Sequence, residues 1–231
     1  FSKQALLEWM ARGQSQEYVQ AENQVKEYFN QVAPQYNEQR SRCYGHALRD
    51  IILAEVGVDF KQVVADIGAG TGYLALELAK KAGRVMAVDN SSQMLLIARE
   101  AAMKEGLKNL EFLEGDAAEL PIAAKSVDIV FANMLLHHVN DPLQVIREMY
   151  RILKPEGQIV VTDSEEHQYT WLRQEKSDLW LGFGREELVE WFKTAGFKGI
   201  LVKDAGCDCC TGTSDGSKTV KIKILLATGK K

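Results

Sequence analysis

The sequence predicts an α/β protein with a Rossmann-like, doubly wound and mostly parallel sheet, a C-terminal antiparallel hairpin and an N-terminal helical extension. From residue 63 onward, short apolar segments alternate with segments of helical periodicity, which is typical of βαβ units. A glycine-rich turn follows the first apolar segment, and two apolar segments near the C-terminus have no helix between them. In such a sheet the ligand site lies at the carboxyl ends of the strands.

Composition narrows the class further. The 231 residues are 46% hydrophobic and 26% charged, which is ordinary for a globular protein and excludes collagen-like and low-complexity classes. Because the net charge is −4, nucleic acid is an unfavoured partner. No apolar run approaches the roughly 18 residues that span a bilayer, so we expect no membrane insertion. Without a secretory leader, the expected location is the reducing cytoplasm.

The N-terminal part is polar and helical in pattern. Apolar residues recur at spacings of three and four, first at Leu6, Leu7 and Met10, then at Val25, Tyr28, Phe29 and Val32. Pro34 is expected to interrupt the second run, and another helical stretch covers about 43–56. We assign residues 1–60 to a helical extension and 61–231 to the core, within one structural domain overall.

The core elements follow in order. Five segments read as parallel strands, at 63–68, 84–89, 110–116, 127–133 and 158–163, most of them followed by helical patterns. Two further segments, 199–204 and 218–228, predict the closing hairpin around a loop rich in Gly, Cys and Ser.

The turn after the first strand reads Asp66-Ile67-Gly68-Ala69-Gly70-Thr71-Gly72. Its glycines allow a tight turn and close approach to a ligand, although a purely structural β–α turn remains the alternative. Asp89 ends the next strand, where a carboxylate can accept both hydroxyls of a ribose; the alternative is a helix N-cap.

The spacing of these glycines argues against NAD. The dinucleotide fingerprint places its third glycine three residues after the second, whereas here the spacing is two and two. A carboxylate at Asp66 would repel a pyrophosphate but could orient a ligand that carries an amine. This favours a cationic nucleoside.

Five motifs in order carry a family resemblance: DIGAGTG, VDNSSQML, EGDAAELP, VDIVFANMLLHHVNDP and RILKPEG. The chain resembles the class I S-adenosylmethionine-dependent methyltransferases, in particular the small-molecule branch that includes the ubiquinone and menaquinone methyltransferases. The match covers about residues 25–163, and more loosely the tail to 228. It implies S-adenosylmethionine as cofactor and S-adenosylhomocysteine as product.

The resemblance also implies cofactor-binding residues. It places the methionine moiety near Asp66 and the turn Gly68, Ala69, Gly70 and Gly72, and the ribose on Asp89. It places the adenine between Asn90, Met94 and the Asp116–Ala117 edge, and Asn133 beneath the sulfonium. The N-terminal segment would then form a helical lid, with Tyr36 as a lid residue.

His137 and His138 are the candidate catalytic residues. Asn133 and His137 are an i,i+4 pair, so both could face one cleft if a helix begins there, and a neutral imidazole could accept a proton from an acidic acceptor group. The alternative is that either histidine packs or caps the helix. The stretch containing His167, Trp171, Arg173 and Trp180 follows the fifth strand, where an acceptor pocket or simply a packed helix would lie.

Cys207, Cys209 and Cys210 are candidate metal or metalloid ligands because clustered thiols are soft donors. Their crowding is poorly suited to ordinary disulfide bridges, and we expect them to lie in an exposed loop as inert, ligand-binding or redox-active thiols. A complete zinc set would need another ligand, such as Cys43, His46 or His167.

The predicted function is in-line methyl transfer from S-adenosylmethionine to a small-molecule acceptor. Two alternatives stay open: a thiol-assisted metalloid methyltransferase, and a non-catalytic S-adenosylmethionine-binding regulatory module.

Overall fold

A computed structural model describes residues 16–213 and 215–231; the predicted helix around Leu6, Leu7 and Met10 lies outside them. The helices are α1 (Gln16–Cys43), α2 (Ala47–Glu55), α3 (Ala75–Ala79), α4 (Ser92–Lys104), α5 (Pro142–Ile152), α6 (Leu172–Glu175) and α7 (Arg185–Ala195), with a 3-10 turn at Leu136–His138. The strands are β1 (Val63–Ile67), β2 (Arg84–Asp89), β3 (Leu110–Glu114), β4 (Val127–Asn133), β5 (Leu153–Ser164), β6 (Lys198–Gly212) and β7 (Thr219–Lys230).

The strands form one seven-stranded sheet in the order β3-β2-β1-β4-β5-β7-β6. Strands β1 to β5 pair in parallel, and β7 pairs antiparallel with both β5 and β6. The predicted fold class is confirmed. The order reverses between β1 and β4, and ligands of open α/β sheets bind at such a switch point.

Both faces of the sheet are buried, which explains why its central strands read as continuous apolar runs. In β4, Val130 and Ala132 pack into the core on one face, while Ile129 and Phe131 pack into the core on the other. Because all four are almost fully buried, the strand is fixed in register and its last residue, Asn133, is held at the carboxyl edge.

Helix α1 corrects one expectation, because it continues through Pro34 to Cys43 without the predicted interruption. A proline inside a helix loses one backbone hydrogen bond, so tertiary contacts must hold the segment in place. Such contacts lie on either side of Pro34: Asn30 accepts a hydrogen bond from Ser91 Oγ at 2.7 Å, and Asn37 accepts one from Thr71 Oγ1 at 2.6 Å.

The C-terminal hairpin is longer than predicted. The three cysteines lie inside β6, paired with β7 through Cys209 opposite Ile222 and Cys210 opposite Lys221, and not in the expected loop. A register shift between Asp204 and Asp208 interrupts the pairing, and this irregularity hides the continuation of the strand from its sequence pattern. Among the described residues, no helix is long and apolar enough to cross a membrane.

Candidate functional site

A cavity of about 530 Å³ opens at the carboxyl edge of the sheet, where β1, β2 and β4 end beneath α1. Most of the residues predicted to bind the cofactor line it: Tyr36, Gly68, Ala69, Gly70, Asp89, Asn90, Met94, Asp116, Ala117 and Asn133. Asp66 and Gly72 are not among the lining residues. The topology therefore gathers residues that are far apart in the sequence around one space.

The glycine turn leaves room for a ligand to approach the backbone closely at Gly70. Gly70 has φ +54°, and a Cβ added there would meet only Tyr36, at 4.0 Å, so its backbone faces open cavity. Gly68 and Gly72 also have positive φ, but added Cβ atoms would contact Leu135 at 2.7 Å and Leu76 at 3.1 Å. These two glycines therefore serve packing as well as the turn, and Gly72 lies behind the cavity wall.

Asp89 links the turn to the end of β2. Its Oδ2 accepts a hydrogen bond from the N–H of Gly70 at 2.8 Å, and its Oδ1 accepts one from the N–H of Ser91 at 2.9 Å. Burial raises the pKa of Asp89 above its usual value, and these N–H donors oppose that rise. Ser91, and not Asp89, accepts the capping hydrogen bond from Met94 N–H, so Asp89 is not the N-cap of α4.

Asp66 is a buried carboxyl group beneath the turn. It is 2% exposed, and its Oδ2 has no hydrogen-bond partner among the described residues. Burial raises the pKa of Asp66 to about 8, and the negative charge of Asp89 contributes. An unpartnered buried carboxyl oxygen is costly, so this position suits a ligand that supplies a donor.

Arg40 lines the cavity and has unpartnered nitrogen atoms, and the sequence did not single it out. Its guanidinium lies 4.0 Å from the centroid of the Tyr73 ring, and its Nη2 donates to Asn37. Its Nε and Nη1 are buried without a partner among the described residues. A guanidinium with two unused nitrogens can bind a carboxylate through charge-assisted hydrogen bonds.

Helix α1 crosses the cavity and is anchored to the core on both sides of it. Lys26 Nζ pairs with Glu114 at 3.2 Å, at the end of β3, and Asn37 accepts a hydrogen bond from Thr71 in the glycine turn. Tyr36 lies between these anchors, and burial raises its pKa to about 12. The predicted lid segment therefore covers the space that the predicted cofactor residues line.

The residues predicted to enclose the adenine differ in polarity and in exposure. Met94 is almost fully buried in α4 and presents an apolar surface to the cavity. Asp116 is exposed, and its Oδ1 accepts the N–H of Ala118 at 2.8 Å, which is the turn-capping role considered as the alternative. Its second carboxylate oxygen still has capacity for another donor.

A smaller cavity of about 120 Å³ adjoins the first. Six residues line both: Phe29, Tyr36, Arg40, Tyr44, Met134 and His138. Tyr28, His137, Leu172, Lys176 and Asp178 line only the smaller one, together with others. Of the stretch after the fifth strand, the structure brings Leu172, Lys176 and Asp178 to this cavity, whereas Trp180 is buried in the core.

His137 is held by Asp163, a residue that the sequence reasoning missed. The His137 Nδ1 lies 2.6 Å from Asp163 Oδ1, and Asp163 Oδ2 accepts the N–H of Leu136 at 2.8 Å. Burial alone would lower the pKa of His137, but the charge and hydrogen bond of Asp163, with the charge of Asp178, outweigh it and raise the pKa to about 9. The imidazole is oriented with Nε2 toward Asp178, at 4.0 Å.

His138 is the one of the two predicted catalytic histidines that lines both cavities. Burial, followed by the positive charge of His137, holds the pKa of His138 well below its usual value. Its ring packs edge-on against Phe29 of α1, with centroids 4.8 Å apart. Both histidines lie near Asn133 at the carboxyl edge of the sheet, as expected from the i,i+4 spacing. The segment forms only a short 3-10 turn, however, and not the expected start of a helix.

The cysteine prediction needs correction. Cys209 is bonded to Cys43 at the end of α1 in a disulfide, so the three residues of the cluster are not a set of free, exposed thiols. Cys207 and Cys210 are free and half-buried. Neither the bridge nor its partner could be read from the spacing, because 166 residues separate the two cysteines and the fold brings their Cα atoms within 4.7 Å.

Comparison with known proteins defines the class. Residues 65–161 match the family described as "Methyltransferase domain". The predicted resemblance is confirmed for this part of the chain, which matches a methyltransferase domain, and solved S-adenosylmethionine-dependent methyltransferases have a similar fold.

Two similar curated proteins are named for the methylation of a hydroquinone and of a demethylmenaquinone. The chain is 37% identical over 146 residues to the chloroplastic 2-methyl-6-phytyl-1,4-hydroquinone methyltransferase of Arabidopsis thaliana, covering 62% of this chain and 42% of the relative. It is 26% identical over 215 residues to a demethylmenaquinone methyltransferase of Listeria welshimeri, covering 76% of this chain and 88% of the relative. The chain thus spans less than half the length of the first relative.

A solved structure supports the fold. The phosphoethanolamine N-methyltransferase 2 of Haemonchus contortus, in complex with S-adenosyl-L-methionine, superimposes with a TM-score of 0.69 at 20% identity. The match covers 82% of this chain and 53% of that one.

Proposed function

We propose that this protein transfers a methyl group from S-adenosylmethionine to a small-molecule acceptor, held in the smaller cavity, that carries a hydroxylated aromatic ring. The observation that carries the proposal is that two buried groups of opposite charge have unpartnered atoms: Asp66 of β1, beneath the glycine turn, and Arg40 of α1, in the cavity wall. Asp66 Oδ2 lacks a donor, and Arg40 Nε and Nη1 lack an acceptor. The amino-acid end of S-adenosylmethionine offers an ammonium group and a carboxylate, which satisfy both.

We assign the remaining cofactor-binding residues from their positions around the larger cavity. Asp89, at the end of β2, would accept the ribose hydroxyls while it holds the Gly70 turn in place. Met94, Asn90 and the Asp116–Ala117 edge would enclose the adenine. The open space at Gly70 leaves room for the ligand to approach the backbone, as the cofactor requires.

The smaller cavity supports the acceptor class. Its aromatic wall contains Tyr28, Phe29, Tyr36 and Tyr44, and its volume of about 120 Å³ suits roughly one ring, since an apolar cavity of about 150 Å³ accommodates benzene. The named substrates of the curated relatives, a hydroquinone and a demethylmenaquinone, belong to the same chemical class. A prenyl tail would have to leave through the mouth of the cavity.

Bound S-adenosylmethionine supplies an electrophilic methyl group on its sulfonium sulfur. The protein's contribution is alignment and exclusion of water by α1. Burial raises the pKa of Tyr44 well above its usual value and that of Tyr36 to about 12, so both phenols stay protonated at neutral pH and can donate hydrogen bonds to an acceptor oxygen. Tyr44 in turn is hydrogen-bonded to the Asn133 side chain.

Calorimetry tests the cofactor half of the proposal. Arg40→Ala should weaken binding of S-adenosylhomocysteine about 10- to 100-fold, because charge-assisted hydrogen bonds to its carboxylate are lost. Arg42→Ala is the matched control: it lies on the same helix, but its side chain is 76% exposed and pairs with Glu38. Equal affinities of the two variants would reject the assignment.

Measurements of turnover test whether the protein is catalytic and which class of acceptor it methylates. Formation of S-adenosylhomocysteine should be measured with short-chain hydroquinones, demethylquinols, simple phenols, amines and arsenite. Turnover with the ring-hydroxylated acceptors and not with the amines supports the proposed class. Tight cofactor binding without turnover on any acceptor would favour the non-catalytic module, and turnover only with trivalent arsenic would favour the metalloid alternative.

A further inference from the structure

We infer that His137, His138 and Asp178 form a binding site for a divalent transition-metal ion in the wall of the smaller cavity. Each residue offers one ligand atom, and the three atoms lie within 4.8 Å of one another. His137 Nε2 is 4.0 Å and His138 Nδ1 3.9 Å from Asp178 Oδ1. Methyl transfer, as proposed above, does not require this ion, so the two ideas stand or fall separately.

The distances suit a shared cation better than direct contacts. Separations of 3.9 and 4.0 Å exceed hydrogen-bond length, so the carboxylate does not hydrogen-bond either ring directly. His138 Nδ1 also lies 3.3 Å from the Ser177 carbonyl oxygen, so metal binding must displace that contact and its proton. A point equidistant from three atoms about 4 Å apart lies about 2.3 Å from each, and ligand distances to Zn²⁺ are about 2.0–2.2 Å for imidazole and carboxylate. A contraction of a few tenths of an ångström would complete the site.

The surroundings of His137 match a ligating histidine. Its Nδ1 is engaged by Asp163 Oδ1 at 2.6 Å, which turns Nε2 toward Asp178. A carboxylate on the far nitrogen is the usual second-shell partner of a histidine that binds metal, since it fixes both the tautomer and the ring orientation. Asp163 itself is locked by the backbone N–H groups of Leu136 and Ser164.

Asp178 supplies an independent argument. It is a carboxylate only 8% exposed, and it lies in the wall of the smaller cavity between the two imidazoles. A carboxylate in such a place is usually paired or bound to a metal. The competing explanation is an ion pair without any metal, with protonated His137 as the main counter-ion and Lys176 as a further one in the same cavity.

The donor set indicates the kind of ion. Two imidazoles and one carboxylate suit Zn²⁺, Fe²⁺, Co²⁺ or Ni²⁺ better than Mg²⁺ or Ca²⁺, which prefer oxygen ligands. Three protein ligands leave further coordination positions open, and here they face the cavity. An oxygen or nitrogen atom of a small ligand in that cavity could complete the coordination.

The test uses the full chain, stripped of metal by chelation, in a Cys207→Ser/Cys210→Ser background so that free thiols cannot bind the probe. Calorimetric titration with Zn²⁺ should show about one equivalent bound at micromolar Kd or tighter. Asp178→Asn, which keeps the shape of the side chain, should weaken binding at least 100-fold, and Asp163→Asn about 10- to 100-fold. His46→Ala, an exposed histidine elsewhere on the surface, should leave it unchanged.

Two further readouts make the result decisive. Co²⁺ should give visible bands without the near-ultraviolet charge-transfer absorption of thiolate ligands, and the bands should disappear in Asp178→Asn. Binding of S-adenosylhomocysteine by Asp178→Asn should stay normal, which shows that the variant is folded. Less than a tenth of an equivalent of Zn²⁺ bound, or equal Zn²⁺ affinity of Asp178→Asn and the parent, would overturn the inference in favour of a simple ion pair between Asp178 and protonated His137.

Discussion

The N–H of Gly70 donates a 2.8 Å hydrogen bond to Oδ2 of Asp89, so the turn after β1 and the acid at the end of β2 form one unit. The contact joins the glycine turn to Asp89, and the prediction of nucleoside binding depends on these two features. Loss of the Asp89 carboxylate should therefore affect both the ribose contact and the shape of the turn.

Asp89→Ala should weaken S-adenosylhomocysteine binding by about 1–3 kcal/mol, the usual cost of losing hydrogen bonds to a charged group. Calorimetry at fixed ionic strength measures the change. Asp59→Ala is the control, because Asp59 is exposed and caps only the N–H of Lys61. An Asp89→Ala affinity within twofold of that control would rule out a ribose contact.

Asp66 should make the ligand-free protein less stable as the pH rises. Its pKa is about 8 in the folded state against about 3.9 in the unfolded chain, so between these values the folded state binds more protons. The free energy of unfolding should fall with pH through this window, by up to about 1.4 kcal/mol per pH unit from this group, and level off above pH 8. Urea unfolding from pH 5 to 9 should show a shallower decline in Asp66→Asn; parallel curves would contradict the assignment.

Cofactor binding should protect α1 from exchange. Residues 25–40 cover the larger cavity and are anchored through Asn30 and Asn37, so a ligand beneath them should slow opening of the helix. Hydrogen exchange with and without S-adenosylhomocysteine should show added protection there, whereas α7, away from the cavity, should be unchanged. Equal exchange of residues 25–40 in both states would remove the lid interpretation.

Loss of the Cys43–Cys209 bridge should lower the free energy of unfolding by about 2–5 kcal/mol, since a long loop loses its covalent constraint. Urea unfolding of Cys43→Ser/Cys209→Ser measures this. The double variant should also behave alike with and without reductant, whereas the parent should become less stable on reduction. Cys210→Ser, which removes a free thiol, should unfold like the parent. Insensitivity of the parent to reductant would show that the bridge does not form.

The strands, the parallel sheet and the glycine turn could be predicted because period, length and turn residues are local properties. The glycine turn, Asp89 and Asn133 reach one cavity because parallel strands end at a common edge. Asp163 ends the fifth strand at that same edge, and the same reasoning could have found it.

Other parts of the site depend on packing that no local pattern records. Arg40 lies on an amphipathic helix where a charged residue normally points to solvent, and Asp178 follows an irregular segment. The continuation of β6 through the cysteines is set by its pairing with β7 across a register shift. Which thiols meet, and which histidine a carboxylate holds, follow from the tertiary fold alone.

The bridge between Cys43 and Cys209 closes a covalent ring that contains β1 to β5 and most of β6. A protease that cuts any loop inside this ring, such as the exposed turn around Gly106, would convert the chain into two pieces that stay joined. The pieces would migrate as one species under non-reducing conditions and separate only after reduction. Limited proteolysis would thus read out the oxidation state of the protein directly from the size of its fragments.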